Sequence, residues 1–184
     1  MYVNIKHLKN LKFNNCQNCT KCCENKMFAP LILEDIKKVY KFFPIFIIFI
    51  PNPKLVIPLS LNKNCPYLKD NKCSLYEHRP PACKIYPFSP WYGEVILDLS
   101  CDGIGIKGEN LPLSIKEFKN SKFYDKRIVN IEEKLEKTNN WIKNQKLTYL
   151  TKINNIKIYK IKYQNEFYNN LIQSSYKNLK IFNL

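Results

Sequence analysis

The residues of this 184-residue chain that most plainly carry chemistry are its eight cysteines. All of them lie between Cys16 and Cys101, at positions 16, 19, 22, 23, 65, 73, 83 and 101. Thiolates are soft ligands that select zinc, copper(I) and iron–sulfur clusters. The opening residues, MYVNIKHLKNLKFNN, contain no apolar run of the kind a secretory signal needs. A cytoplasmic location is therefore expected, where thiols stay reduced and clustered cysteines bind metal or do redox chemistry rather than form disulfides.

Spacing narrows the choice of metal. Cys16-x-x-Cys19-x-x-Cys22-Cys23 sets three thiols at three-residue intervals and a fourth beside them. They converge on one centre only if the backbone winds around it. A C-x2-C-x2-C run also opens bacterial ferredoxin cluster motifs, which draw a further thiolate from elsewhere in the chain. Cys65, Cys73, Cys83 and Cys101 are available for that role. Structural zinc sites with four cysteines usually use two C-x2–4-C knuckles, and the downstream cysteines form none. The pattern favours an iron–sulfur centre of the 4Fe–4S type, with zinc as the alternative. Eight thiols exceed the four that one centre needs. Two sites, or one site with spare thiols, both stay open.

Other candidates surround the cysteines. Three of the chain's four glycines follow Cys101, at positions 103, 105 and 108. Glycine permits close backbone approach, so Gly103 and Gly105 are candidates for lining a cofactor. Arg79 precedes Cys83 and can offset the negative charge of a thiolate-bound cluster. A salt bridge from Arg79 to Glu77 competes with that role, and a surface position is expected for His78. The sequence has no G-x-G-x-x-G, no Ser-His-Asp set and no recognisable pair of catalytic carboxylates. Whether the chain is an enzyme stays open.

The elements that must position these residues are short. A helix is expected to begin at Glu34-Asp35 and run through Ile36, Val39 and Tyr40, ending before Pro44. The apolar run Phe42–Ile50 reads as a buried strand, too short for the roughly 20 residues of a membrane helix. Residues 56–61 read as an edge strand, because Pro58 is unsuited to a central one. Prolines at 66, 80, 81, 87 and 90 make residues 66–90 a rigid wrap. Glu94–Ser100 reads as a strand leading into Cys101. Ile128, Ile131, Leu135 and Ile142 predict a helix over 115–146. Over 147–184 the signals conflict: Ile156-Lys-Ile-Tyr159 suggests a strand, while the four-residue repeat Tyr159, Tyr163, Phe167, Leu171 favours helix, which is the reading taken. The expected fold is α+β: a loop-dominated metal domain over residues 1–110 and a mostly helical, basic extension over 111–184. The extension packs on the core or stands apart. Because every cysteine precedes it, the metal site is expected not to need it.

A net charge of +15 raises nucleic acid as a partner. The excess is lysine, with arginine only at 79 and 127, and it is spread along the chain rather than gathered in a patch. A solvated basic surface, or an acidic protein partner, fits better than nucleic acid, which is kept as a further alternative.

In the order of these residues the chain resembles the YkgJ-like, or CxxCxxCC, cysteine-cluster family. The matching elements are Cys16, Cys19, Cys22 and Cys23; Pro30 and the Glu34-Asp35-Ile36 helix start; Cys65-Pro-Tyr-Leu68; Cys73-Ser-Leu-Tyr76; Arg79-Pro80; Cys83; Tyr86-Pro-Phe88; and Cys101 with Gly103 and Gly105. Thr20-Lys21 stands where the family commonly has a glycine, and Asp102 where it commonly has a proline. The resemblance implies chelation of zinc or iron. A related region occurs in flagellin lysine N-methylase, which implies redox chemistry or a lysine-modifying, methylation-type reaction on a lysine-bearing substrate protein. A zinc-stabilised interaction module without catalysis is the alternative.

Overall fold

A computed structural model describes residues 2–8, 10–14, 20–24, 26–61, 64–89, 96–121 and 130–184. Its centre is a five-stranded antiparallel sheet. Across the sheet the order is Leu147–Ile153, Ile156–Ile161, Phe46–Ile50, Asn52–Pro58 and Phe28–Pro30. Two hairpins build most of it. One turns at Pro51 and sets Ile50 opposite Asn52. The other turns at Asn154-Asn155, both with positive φ, a conformation asparagine tolerates better than most residues and the one a tight hairpin turn requires.

Of the apolar run Phe42–Ile50 expected to be a buried strand, Phe46–Ile50 is strand. Ile45, Phe46 and Ile47 are wholly buried, Phe42 is half-buried, and Phe49 and Ile50 reach solvent. The expected edge strand, however, is interior: Asn52–Pro58 has neighbours on both sides. Pro53 and Pro58 sit at its two ends, where a missing N–H disturbs the ladder least.

Helices close the sheet on its core face. A 3₁₀ turn, Leu33–Asp35, runs into the helix Ile36–Val39, at the place the carboxylate pair foretells. Asp35 is buried, and its carboxylate accepts the Ile32 N–H at 3.2 Å. Ile131–Lys143 buries Ile131, Thr138 and Ile142 on one face, and Thr138 accepts the Leu33 N–H through its hydroxyl at 3.2 Å. The helix expected over 115–146 is two helices, Ile115–Lys119 and Ile131–Lys143, with Ile128 outside the described residues.

The C-terminal part departs furthest from expectation. Residues 147–161 form the second hairpin, not helix; the helix begins only at Phe167 and runs to Ser175, followed by a 3₁₀ segment, Tyr176–Phe182. The strand Ile156–Ile161 pairs with Phe46–Ile50. Ile158, Ile161, Ile172, Tyr176 and Phe182 share one apolar core with Leu31, Ile36, Phe43 and Leu55. Sheet and core thus run continuously across residue 110.

A second, smaller core gathers Ile5, Leu8, Phe13, Phe88, Leu97, Leu111 and Phe118 around the buried Cys101. Two three-stranded sheets frame it. Tyr2–Asn4 pairs with Ile96–Asp98, which pairs with Phe88–Ser89, and Lys12–Phe13 lies between Ile104–Gly105 and Glu109–Asn110. Of the strand expected at Glu94–Ser100, residues 96–98 are strand, while Glu94 and Val95 lie outside the described residues.

Candidate metal centre

Four short devices bring thiols together. Thr20, with φ of 56°, turns the chain into the one-turn helix Lys21–Glu24, which carries Cys22 and Cys23. The Cys65 N–H donates to the Cys23 carbonyl at 2.8 Å, tying that turn to the next loop. Cys73 ends the strand Lys72–Cys73, paired with Leu68–Lys69 across an Asp70-Asn71 turn whose two residues both have positive φ. Pro80 and Pro81 start the helix Pro81–Lys84, where a missing N–H costs nothing, and that helix presents Cys83.

The five thiols of Cys22, Cys23, Cys65, Cys73 and Cys83 line one cavity of about 380 Å³. Phe43, Tyr67 and Leu75 form apolar wall, and Arg79 stands in the lining. All six described cysteines are free of disulfides. The sulfurs of Cys22 and Cys23 are 3.9 Å apart. Among the described residues no three His, Cys, Asp or Glu side chains are drawn together tightly enough to hold a single ion.

The Cys22 and Cys23 sulfurs are in hydrogen-bonding contact, with either able to donate. The contact with Cys23, then burial and the charge of Cys23, pushes the Cys22 thiol far up. Cys22 acts to lower Cys23, but Cys65, burial and the charges of Cys65 and Cys73 outweigh that and push it up to about 12. Burial, then the charges of Cys22, Cys23 and Cys73, push Cys83 up to about 12. Cys65 is drawn down, because hydrogen bonding with Cys23 and the Tyr67 backbone outweighs its burial. It ionises more readily than Cys22, Cys23 and Cys83, and binding a metal must displace their protons.

The remaining sequence candidates are placed as follows. Cys16 and Cys19 lie outside the described residues. Cys101 is in the second core, 7 % exposed, and is not among the residues lining the five-thiol cavity. Gly103 accepts the Asn14 N–H at 2.7 Å and Gly105 pairs with Lys12, so both serve the strand that precedes Cys16 rather than the cavity wall. Gly108, with φ of +100°, is tightly confined: a Cβ there would stand 2.3 Å from the Phe13 carbonyl oxygen. Arg79 lies over the Tyr76 ring at 3.9 Å and donates from Nε to the Tyr76 carbonyl at 3.1 Å. His78 stacks on Phe42.

Sequence reasoning missed Lys26 and Asp98, and named Tyr86 only as part of the family pattern. Lys26 looks like any other lysine in a lysine-rich chain. Its ammonium lies 3.8 Å from the centre of the Tyr86 ring and 3.2 Å from Asp98 Oδ2.

Fold and site together define an α+β protein with a thiol-lined cavity suited to soft metals. The chain belongs to the CxxCxxCC family, described as a "putative zinc- or iron-chelating domain", whose family model matches residues 15–170. No curated protein and no solved structure matches it. No helix among the described residues is long and apolar enough to cross a membrane.

Proposed function

We infer that this chain is a cytoplasmic iron–sulfur protein whose cluster is held by thiolates of the five-thiol cavity. The observation that carries the reading is the cavity itself: about 380 Å³ of space bordered by Cys22, Cys23, Cys65, Cys73 and Cys83. A tetrahedral zinc ion with ~2.3 Å bonds to sulfur draws its ligands into near contact, whereas a cluster keeps them apart and fills a larger volume. When bound, such a cluster supplies one-electron redox chemistry. The chain's own residues supply the rest. Phe43, Tyr67 and Leu75 limit water at the thiols, and Arg79 puts a cation in the lining. The lysine-rich surface suits an acidic protein partner. The function that fits is electron transfer, or service in a lysine-modifying reaction carried out with a partner.

Structural zinc is the second reading, and one observation favours it. The 3.9 Å between the Cys22 and Cys23 sulfurs is close to the edge of a zinc–thiolate tetrahedron, ~3.8 Å for ~2.3 Å bonds. Anaerobic purification with iron, zinc and sulfide analysis separates the two. The iron–sulfur reading expects a brown protein with acid-labile sulfide. A colourless protein holding stoichiometric zinc and no sulfide overturns it.

A further inference from the structure

We propose that Lys26 is the buried counter-charge of the thiol cavity, supporting negative charge on Cys22 and Cys83 from behind the cavity wall, and that Asp98 sets how much of that charge the sulfurs feel. The proposal deepens the metal-binding reading and rests on it. A second, smaller cavity of about 70 Å³ adjoins the five-thiol cavity, and Cys22 and Cys83 line both. Lys26 and Tyr86 line only the smaller one. The two thiols are therefore a partition, with the metal space on one face and an ammonium on the other.

Several contacts hold that ammonium in place. The Lys26 carbonyl accepts from the Ser60 N–H at 2.9 Å and the Ser60 hydroxyl at 2.8 Å, which fixes its backbone. The side chain is 18 % exposed, with Nζ 3.2 Å from Asp98 Oδ2 and beneath the rings of Tyr86 and Tyr2. Asp98 is itself anchored, because its Oδ1 accepts the Ser100 N–H at 3.1 Å and the Ser100 hydroxyl at 2.7 Å. Burial disfavours the charged amine. The Asp98 carboxylate and then Cys83 and Cys22 act in the opposite sense, and the net shift of the amine is downward. A charge in such a poorly solvated place acts strongly on its neighbours. Arg79 lacks this placement, since its guanidinium is spent on the Tyr76 ring and carbonyl.

The pair of residues gives a test with two signs. Removing the cation withdraws support from the thiolates, while removing the carboxylate unmasks the cation. Cobalt(II), which colours when thiolates bind it, is titrated anaerobically into the full chain and into K26M, K26R and D98N. K26M is expected to bind about tenfold more weakly, K26R to bind as the wild type does, and D98N to bind more tightly. In a parallel arm on the metal-free chain, iodoacetamide alkylation of Cys22 at one fixed pH is followed by peptide mass spectrometry. The expectation is slower labelling in K26M and faster labelling in D98N, with Cys101 unchanged as a control for unfolding. Should K26M unfold and expose Cys101, K26R and D98N still decide the matter. Changes of the same sign in K26M and D98N, or none in either arm, overturn the proposal. A wild type that binds no cobalt through thiolates defeats the metal reading instead, and the alkylation arm then judges Lys26 alone.

Discussion

Cys23 and Cys65 are tied through the backbone and share one cavity: the Cys65 N–H donates to the Cys23 carbonyl at 2.8 Å, and both side chains stand in the lining of the five-thiol cavity. They lie 42 positions apart in the chain, yet meet at one point. The backbone link sets the register between the CxxCxxCC turn and the loop that follows the sheet. Replacing Cys65 by serine keeps the backbone link but hardens the donor. Cys65→Ser is expected to lose most of the bound metal while retaining native secondary structure by circular dichroism. Metal content equal to the wild type would remove Cys65 from the ligand set.

The C-terminal strands make a different kind of prediction. Cysteine placement alone suggests that truncation after Gln145 spares the metal site. The sheet argues the opposite. Ile158, Ile161, Ile172, Tyr176 and Phe182 belong to the main core, and Ile156–Ile161 pairs directly with Phe46–Ile50. Burial of each large apolar side chain contributes on the order of 1.5–3 kcal/mol. Truncation is therefore expected to abolish cooperative unfolding, and metal binding with it. A truncated chain that melts cooperatively and keeps its metal would refute this.

Tyr176 offers a local probe of that core. Its hydroxyl accepts the Ile161 N–H at 2.8 Å, and burial pushes the phenol's ionisation far up. Tyr176→Phe leaves a buried N–H without its partner, at a cost of about 1–3 kcal/mol. Urea denaturation should show that loss with an unchanged slope.

Gly108 is expected to reject even a methyl group. Its positive φ and the Phe13 carbonyl at 2.3 Å from an added Cβ leave no relaxed position for one. Gly108→Ala should destabilise the chain by roughly 2 kcal/mol or more and loosen the Lys12–Phe13 strand. Hydrogen exchange at Phe13 and Asn14 measures it.

Asp98 links stability to pH. Burial alone would raise its carboxyl, but the bonds from the Ser100 hydroxyl and N–H and the charge of Lys26 outweigh burial, and the net shift is downward. A carboxyl lowered by folding contributes stability that is present above its unfolded value, about 3.9, and lost as pH falls through the folded one. Asp98→Asn should therefore cost stability at pH 6, and the gap from wild type should narrow below about pH 4. Comparing the two chains at each pH cancels effects they share. A gap that is constant with pH would mean that the ion pair does not stabilise the fold.

Sequence alone determined the chemistry of this protein and little of its geometry. Thiol type, number and local spacing are written in the chain, and Cys16 to Cys23 announce a soft-metal centre before any fold is known. Local elements with local causes were equally legible: the carboxylate-led turn at Glu34-Asp35 and the strand within the apolar run Phe42–Ile50, whereas the helix Pro81–Lys84 that carries Cys83 stands where the prolines read only as a rigid wrap. What only the tertiary structure decided depends on residues far apart in sequence. The interior place of Asn52–Pro58 is set by its two neighbours, not by its prolines. The hairpin at 147–161 answers to the open edge of Phe46–Ile50, which overrides a four-residue aromatic repeat that fits a helix. Which thiols share a cavity is settled by how separate loops dock. Lys26 becomes distinctive only because folding takes one ammonium out of water and sets it beside Asp98, Cys22 and Cys83. Burial and long-range pairing are properties of the whole chain, and no local pattern of residues encodes them.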